Sequence, residues 1–233
     1  MDDIDLSLAL PFYNEEKNVE WVLNEMLGSF DRRGLRYELI AVQNGSWDGT
    51  SDLIDQFCRK YPQVKKVTVE VNQGYGYGIL QGMAAARGRY VGYSPGDGQV
   101  PADDIAQVFL KGKEMGLDFM QGLRVRKDTW VRRLNTGIYN FIFHAFFWSR
   151  VRDVGSNPKI LKREWFEAIG LESKDWFIDG EIILKTHAAG RKMMEFPVTF
   201  RKREEGKSKI NLAAALQMFK NVLRWKLRTV TGS

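Results

Sequence analysis

Four short apolar runs, each followed directly by a polar and glycine-rich segment, constrain the fold of this chain more than any other feature of its sequence. The runs cover residues 6–12, 37–42, 64–71 and 90–93. Apolar runs of this length, bounded by turn residues, are typical of buried parallel strands. Helical patterns separate them at 19–30, 51–60 and 79–87, and either Asp48 or Thr50 is placed to cap the second helix. Alternating strands and helices predict an α/β fold with a doubly wound, mostly parallel central sheet and helices on both faces.

The second half of the chain has a less regular pattern. It predicts a helix at 104–115, strands at 118–125, 154–161 and 194–201, a helix at 176–189 and a final amphipathic helix at 211–228. No internal repeat, low-complexity segment or clear linker interrupts the sequence. Because 233 residues suffice for one α/β domain with a sizeable core, we expect a single domain over residues 1–233.

Charge and cysteine content restrict the surroundings that suit this chain. The net charge is +6, and residues 206–233 contain six Lys or Arg and no acid. A basic excess of this size fits a phosphate-rich partner, or simply a surface with a slight basic bias. The single cysteine, Cys58, forms no internal disulfide, which suits a reducing compartment. The sequence contains no signal peptide and no run of about 20 apolar residues, the length that spans a membrane.

The polar segments after the predicted strands mark the expected binding site. Ligands of open α/β sheets bind beyond the carboxyl ends of the strands. Those ends carry PFYNEE at 11–16, QNGSWDGT at 43–50, NQGYGYG at 72–78 and SPGDGQ at 94–99. Tyr75 and Tyr77 in the third segment either stack on a base or pack on neighbours. A Rossmann oxidoreductase is excluded, because no GxGxxG turn follows the first predicted strand.

In this order and spacing, the segments resemble the motifs of glycosyltransferase family 2, and within it those of the polyprenyl-phosphate sugar synthases. The resemblance runs from LPFYNEE at 10–16 to GKSKIN at 206–211, which is almost the whole chain. It implies a GT-A fold of the Rossmann-like type. It also implies two halves, with nucleotide binding in residues 1–104 and acceptor binding in residues 105–233.

The first two segments correspond to the nucleotide-binding motifs of that family. PFYNE at 11–15 is similar to a family segment that contacts base and ribose, and QNGSWDGT at 43–50 is similar to the family's DDGSxDGT loop. Gln43 and Asn44 replace both leading acids of that loop, but an amide both donates and accepts, so a base still finds hydrogen-bond partners. The resemblance assigns nucleotide binding to Pro11, Tyr13, Asn14, Glu15, Gln43, Asn44, Asp48 and Gly96.

PGDGQ at 95–99 is similar to the family's DxDxQ motif, whose acids and Gln surround a divalent metal and the diphosphate. Pro95 replaces the first Asp, so Asp97 and Gln99 remain as metal ligands. Mg²⁺ and Mn²⁺ prefer oxygen ligands and keep several waters, so this reduced set still suits either ion, with weaker binding than two carboxylates give. The alternative is that both residues are polar turn residues.

Basic residues in the second half correspond to the family's phosphate-binding positions. GLRVR at 122–126 is similar to a family strand, and the segments 153–159, 177–181 and 200–209 are similar to others that line the acceptor side. The resemblance gives Arg124 a catalytic role and assigns phosphate or acceptor binding to Arg132, Thr136, Arg201, Arg203, Lys207 and Ser208. Arginine suits this chemistry because its planar fork binds phosphate oxygens in pairs.

Whether a general base is needed depends on the acceptor. A lipid phosphate is already ionised near neutral pH, whereas a sugar hydroxyl must lose a proton. Asp179 and Glu181 are the candidates for that base, at the start of a predicted helix. Because they point in different directions on the helix, one of them faces the site, and Asp179 is preferred. Alternatively, both are acids that stabilise the helix N-terminus.

The resemblance implies an inverting transferase that moves a sugar from a UDP- or GDP-sugar to a polyprenyl or dolichyl phosphate. The alternatives are transfer to a saccharide hydroxyl, and a degenerate domain that acts as a binding or scaffold subunit. The basic amphipathic segment 211–228 favours a cytoplasmic protein that associates peripherally with a membrane surface, and so does the apolar segment 137–148, which Arg132, Arg133, Arg150 and Arg152 border. Both segments also fit packing on the core or on a partner subunit. No nucleic acid partner is expected.

Overall fold

The computed structural model describes residues 3–125 and 151–201. The segments 137–148 and 211–228, together with Arg132, Thr136, Arg203, Lys207 and Ser208, lie outside this part of the chain. Within it, no helix is both long and apolar enough to cross a membrane.

One seven-stranded sheet organises the described residues, in the order β3-β2-β1-β4-β6-β5-β7. Its strands are β1 (Leu6–Phe12), β2 (Tyr37–Asn44), β3 (Val64–Val69), β4 (Tyr90–Tyr93), β5 (Phe119–Val125), β6 (Lys159–Lys162) and β7 (Met193–Thr199). β6 runs antiparallel to β4 and β5, and all the other neighbouring pairs are parallel. The predicted mostly parallel sheet is therefore confirmed.

Helices cover both faces of the sheet, as expected. They are α1 (Glu16–Arg32), α2 (Thr50–Lys60), α3 (Tyr75–Ala84), α4 (Ala102–Glu114), α5 (Arg163–Ile169) and α6 (Ile178–Ala188). Side chains of a strand alternate between faces, so Leu8 and Leu10 of β1 join a core with α1, α2 and α4, while Ala9 joins a core with α3, α5 and α6. Burial of apolar area on both faces supplies the main driving force for folding.

Four local features differ most from the predictions. The strand predicted at 154–161 begins only at Lys159, because Pro158 has no N–H to donate to a ladder and the carbonyls of Val154 and Ser156 bind the Lys159 side chain instead. α2 follows Gly49 without a side-chain cap, although Asp48 Oδ1 accepts the Thr50 N–H at 3.1 Å. α3 begins four residues before the predicted start, and α5 was not predicted.

Candidate active site

The parallel strands β1, β2 and β4 end at one edge of the sheet, and the polar segments that follow them lie there. Pairing of Phe12 with Gln43 sets the ends of β1 and β2 side by side. Past β4, the Gly96 N–H donates to the Pro11 carbonyl at 3.2 Å. A Cβ on Gly96 would lie 2.5 Å from the Phe12 ring and 2.9 Å from the Pro11 carbonyl oxygen, so this close approach requires glycine. The structure thus brings Pro11 and Gly96 together.

The two predicted nucleotide-binding loops interlock through hydrogen bonds. The Asn14 N–H donates to Ser46 Oγ at 3.0 Å, and Asn14 Oδ1 accepts the Trp47 N–H at 3.0 Å. The Glu15 N–H donates to Thr50 Oγ1 at 2.9 Å. The Glu16 N–H donates to Asp48 Oδ2 at 3.3 Å. These contacts gather Asn14, Glu15 and Asp48 at the edge where the sequence predicts them.

The amides that replace the family's two acids have different surroundings. Gln43 Oε1 accepts the N–H groups of Gly45 and Ser46, and its Nε2 donates to the Ser46 carbonyl, so this side chain stabilises its own loop. Asn44 Nδ2 donates to the Gly74 carbonyl at 3.4 Å. Asn44 Oδ1 is buried and has no hydrogen-bond partner in the described ranges. A base contact by either amide stays a prediction.

Asp97 and Gln99, the predicted metal ligands, lie in the loop between β4 and α4. Asp97 is buried, and its Oδ1 accepts the Gln99 N–H at 3.2 Å. Gln99 is joined to Arg201 by two hydrogen bonds, since Nε2 donates to the Arg201 carbonyl and the Arg201 N–H donates back to the Gln99 carbonyl. Within residues 3–125 and 151–201, no three His, Cys, Asp or Glu side chains form a metal-binding group.

Two of the predicted phosphate-binding arginines are held by carboxylates. Arg124 forms a two-point ion pair with Asp153, with Nε 2.6 Å from Oδ2. Arg201 forms another with Glu25, at 2.8 and 2.9 Å. No sequence motif indicated either partner, and each carboxylate fixes the direction of a guanidinium at the edge of the site.

The acids at the start of α6 differ in their contacts. Asp179 is buried, and its Oδ1 accepts the Tyr93 hydroxyl at 2.6 Å and lies 3.1 Å from Lys159 Nζ. Glu181 accepts the N–H groups of Glu172 and Ser173, so it anchors the preceding loop. Of the two, only Asp179 contacts Tyr93 at the end of β4, and a catalytic role for either acid stays a prediction.

The buried ammonium of Lys159 lies next to the Asp179 carboxylate. Lys159 is fully buried and also donates to the carbonyls of Val154 and Ser156. Burial lowers the pKa of Lys159, while the charge of Asp179 opposes that shift. Burial and the same carboxylate raise the pKa of Tyr93 well above its ordinary value. Asp179, Lys159 and Tyr93 therefore form one connected polar group at the strand end.

Tyr75, the first residue of α3, packs beside the loop before α6. Its ring stacks on Trp176 with centroids 4.2 Å apart, so it packs on a neighbour in this structure. Burial raises the pKa of its hydroxyl well above the ordinary value, and the charges of Asp179 and Asp97 act in the same direction. The sequence leaves the role of Tyr75 open, contains Asn157 and Lys159 in the segment 153–159 without giving either a role, and gives Tyr93 no motif signal.

Comparison with known proteins decides the family. Residues 7–170 match the family model described as glycosyl transferase family 2. The chain belongs to glycosyltransferase family 2. The enzyme is 27% identical to the human dolichyl-phosphate beta-glucosyltransferase, over 98% of this chain and 76% of that protein. It is 24% identical to an undecaprenyl-phosphate 4-deoxy-4-formamido-L-arabinose transferase of Edwardsiella ictaluri, over 91% of this chain and 65% of that protein.

Solved structures confirm the GT-A fold of this glycosyltransferase. Glucosyl-3-phosphoglycerate synthase from Mycobacterium tuberculosis superposes with a TM-score of 0.75 at 19% identity, over 95% of this chain and 79% of that one. The mannosyltransferase PcManGT from Pyrobaculum calidifontis, in complex with GDP-Man and Mn²⁺, gives a TM-score of 0.66 at 16% identity, over 99% and 65%. Another structure of the mycobacterial enzyme contains Mn²⁺ and UDP.

Proposed function

We propose that this glycosyltransferase moves a sugar from a UDP- or GDP-sugar to a polyprenyl phosphate, with inversion at the sugar carbon. The observation that carries the proposal is the convergence of interlocked nucleotide loops, the buried carboxylate of Asp97 and the Asp179 cluster at one sheet edge. Relatives that act on dolichyl and undecaprenyl phosphate support the lipid acceptor. Residues up to 104 then bind the nucleotide, and those from 105 onward bind the acceptor.

Asp97 and Gln99 are the residues that would hold Mg²⁺ or Mn²⁺. A buried carboxylate next to an amide offers oxygen ligands only, which suits a hard cation that keeps several waters and binds diphosphate. Such an ion supplies positive charge where negative charge develops on the leaving diphosphate. The protein adds Arg124 and Arg201, which carboxylates orient, and Arg132, Thr136, Arg203, Lys207 and Ser208 as further phosphate or acceptor contacts.

The contacts of Asp179 favour a lipid phosphate over a saccharide hydroxyl as the acceptor. The Oδ1 atom of this carboxylate accepts from Tyr93 and lies against Lys159, so these two contacts account for the residue as a link between the end of β4 and α6. A phosphate acceptor needs no general base, because its oxygen is ionised near neutral pH. In this role Asp179 orients the end of β4 and, through Lys159, the loop 153–158. The basic segment 211–228 and the apolar segment 137–148, which arginines border, would hold the enzyme at the cytoplasmic membrane surface.

Nucleotide binding and sugar transfer test the proposal together. UDP or GDP with Mn²⁺ should raise the melting temperature of the wild type, because a ligand that binds only the folded state stabilises it. The matching nucleotide sugar should then glycosylate a polyprenyl phosphate. Asp97→Asn should abolish the Mn²⁺-dependent part of the shift and lower kcat/KM by about 100-fold or more. Asp55→Asn is the control, because it removes an acid of α2 that pairs with Lys66 of β3.

A binding subunit is the second candidate, and the replacement of three family acids by Gln43, Asn44 and Pro95 favours it. It predicts the nucleotide-dependent shift without transfer to any acceptor. If none of the nucleotides changes the melting temperature, with or without Mn²⁺, both functions are wrong.

A further inference from the structure

Glu195, the third residue of β7, is an acid that belongs to none of the sequence motifs. Its side chain is only 10% exposed, and three N–H donors surround its carboxylate. Oε2 accepts the Arg152 N–H at 2.8 Å, while Oε1 accepts the Asp153 N–H at 3.2 Å and Gln121 Nε2 at 3.0 Å. Such donors compensate the burial of a charged group. Glu195 therefore fastens the backbone of residues 152 and 153 to the sheet.

Gln121 on β5 strengthens the same attachment. It is fully buried and lies opposite Glu195 in the register of β5 and β7. Its Nε2 donates to the Asp153 carbonyl at 3.2 Å as well as to Glu195. Asp153 is thus held through its N–H by Glu195 and through its carbonyl by Gln121. Two neighbouring strands therefore set the position of the Asp153 carboxylate.

The Asp153 carboxylate in turn sets the direction of the Arg124 guanidinium. Its two oxygens accept from Nε and Nη2 of Arg124, with Nε 2.6 Å from Oδ2. The guanidinium carbon lies 5.2 Å from the centroid of the Phe200 ring. Within residues 3–125 and 151–201, Arg124 forms hydrogen bonds through Nε and Nη2 only, so the N–H groups of Nη1 are left for a ligand.

The charges around Arg124 nearly cancel, so the direction of its donors matters more than net charge. Each of three bases in this region has an acidic partner: Arg124 has Asp153, Arg152 has Glu195 and Lys159 has Asp179. An anionic ligand therefore gains little from net charge, and its attraction to Arg124 depends on N–H groups that point at its oxygens. A turned guanidinium should slow a reaction in which negative charge develops on that ligand.

We propose that Glu195 is a positioning residue, which fixes Asp153 and through it aims Arg124 at the leaving diphosphate. This inference rests on the proposed function, because it takes the ligand of Arg124 to be the diphosphate of a nucleotide sugar. Gln121 serves the same purpose from the neighbouring strand. Both residues act on the reaction through Arg124.

A double-mutant cycle on sugar transfer tests the inference. Glu195→Gln keeps the shape of the side chain but replaces one acceptor oxygen by a donor, so it should loosen residues 152 and 153. It should lower kcat by about tenfold and change the KM of the donor by less than about threefold, because a misdirected Arg124 acts mainly in the transition state. Arg124→Gln should lower kcat by about 100-fold. The double variant should be no slower than Arg124→Gln alone, since no guanidinium is left to aim.

A second variant and a matched control separate positioning from a loss of stability. Gln121→Met removes the donor to Asp153 together with Gln121 Oε1, which is buried without a partner in the described ranges, so the fold should tolerate it. It should lower kcat in the wild type and not in the Arg124→Gln variant. Asp118→Asn is the control, because the Asp118 side chain is 12% exposed and accepts the Lys192 N–H at 3.0 Å, at the other end of β5 from Arg124. It should lower the melting temperature and leave kcat unchanged.

The outcomes distinguish the inference from the proposed function. Losses of kcat that multiply in the double variants, or an equal loss in Asp118→Asn, would overturn the positioning role and leave the proposed function intact. Wild-type kcat in both Glu195→Gln and Gln121→Met, or in Arg124→Gln, would overturn it as well. A wild type that transfers no sugar from a UDP- or GDP-sugar to polyprenyl phosphate would overturn the proposed function, and the inference with it.

Discussion

At the scale of single residues, Lys159 has the most demanding environment in the described part of the chain. Its ammonium is fully buried, and its three N–H donors meet three acceptors, namely the Val154 and Ser156 carbonyls and Asp179 Oδ1. Burial of an uncompensated charge is expensive, so this match is what permits a buried lysine. The side chain thereby links β6, α6 and the loop that carries Asn157.

Removal of this ammonium should cost more stability than removal of a similar one at the surface. Lys159→Met leaves Asp179 without its cationic partner, and we expect the free energy of unfolding to fall by about 3 kcal/mol. The melting temperature should then fall by roughly 6–12 °C. Lys162→Met is the matched control, because Lys162 pairs with Asp118 at a partly exposed position. Equal losses in the two variants, measured by thermal unfolding, would contradict the role given to Lys159.

The sequence predicted which residues gather at the site better than it predicted their contacts. Motif order placed Asn14, Asp48 and Asp97 after strand ends, and the sheet brings strand ends together whatever the side chains do. It placed Asp179 at the start of a helix, and only the structure shows its contact with Tyr93 at the end of β4. The ion pairs of Arg124 and Arg201 join residues 29 and 176 positions apart. No local pattern encodes such pairs, because they depend on how the second half of the sheet lies against α1 and against the loop 153–158.

At the scale of elements, Asp118 ties together three strands in the second half of the sheet. Its carboxylate accepts from Lys162 at the end of β6 and from the Lys192 N–H before β7, at 2.9 and 3.0 Å. Burial alone would raise the pKa of Asp118, but these hydrogen bonds and the charge of Lys162 outweigh it and hold the pKa below the ordinary 3.8. The ionised carboxylate is therefore the form that stabilises the fold.

The contribution of Asp118 should depend on pH in a defined direction. A folded pKa below the unfolded value gives stability that is complete above about pH 4 and is lost as the pH falls through the folded pKa. Asp118→Asn should lower the free energy of unfolding by about 1 kcal/mol near neutral pH, and the difference from the wild type should shrink towards zero in acid. Urea unfolding at several pH values measures this, with Glu20→Gln on the exposed face of α1 as control. A difference independent of pH would contradict it.

Two helix glycines should respond oppositely to alanine. Gly76 in α3 touches the backbone of Ser173 and Asp175, so Gly76→Ala must displace that loop and should destabilise the protein by about 1–3 kcal/mol. Gly28 in α1 meets only the end of Arg32 at 3.4 Å, so Gly28→Ala should stabilise by about 0.5–1 kcal/mol. Chemical denaturation measures both changes. Stabilisation by Gly76→Ala would show that α3 does not press on the loop as described.

Elements with strong apolar patterns were predicted well, and those set by tertiary contacts were not. β1 and β4 have the predicted bounds, because a buried run between turn residues leaves the chain few alternatives. The start of α3 was missed, since its glycines disfavour a helix in isolation and contacts with the 173–175 loop override that tendency. The strand predicted at 154–161 begins only at Lys159, because Pro158 cannot donate to a ladder and the carbonyls of Val154 and Ser156 bind the Lys159 side chain.

At the scale of the whole molecule, one sheet edge collects the polar loops, and the sequence places most of the basic charge in the second half of the chain. A lipid-phosphate acceptor requires that this edge meet a membrane surface. No described helix is suited to cross a membrane. The segment 211–228, outside the described residues, combines an amphipathic pattern with basic residues, and for this reason we expect surface attachment there.

Charge removal in that segment should weaken binding to anionic membranes. Each Lys or Arg near an anionic surface contributes about 1 kcal/mol, so the triple change Lys220→Gln, Arg224→Gln, Arg228→Gln should weaken vesicle binding by roughly 100-fold. Cosedimentation with phosphatidylserine-containing vesicles measures it, and added salt should weaken the wild type in the same direction. The control changes three exposed bases of the described part, Arg59, Lys65 and Lys111, to Gln, which removes equal charge elsewhere. If both triple variants lose binding equally, attachment follows net charge, and the 211–228 segment has no special part in bringing the enzyme to its lipid acceptor.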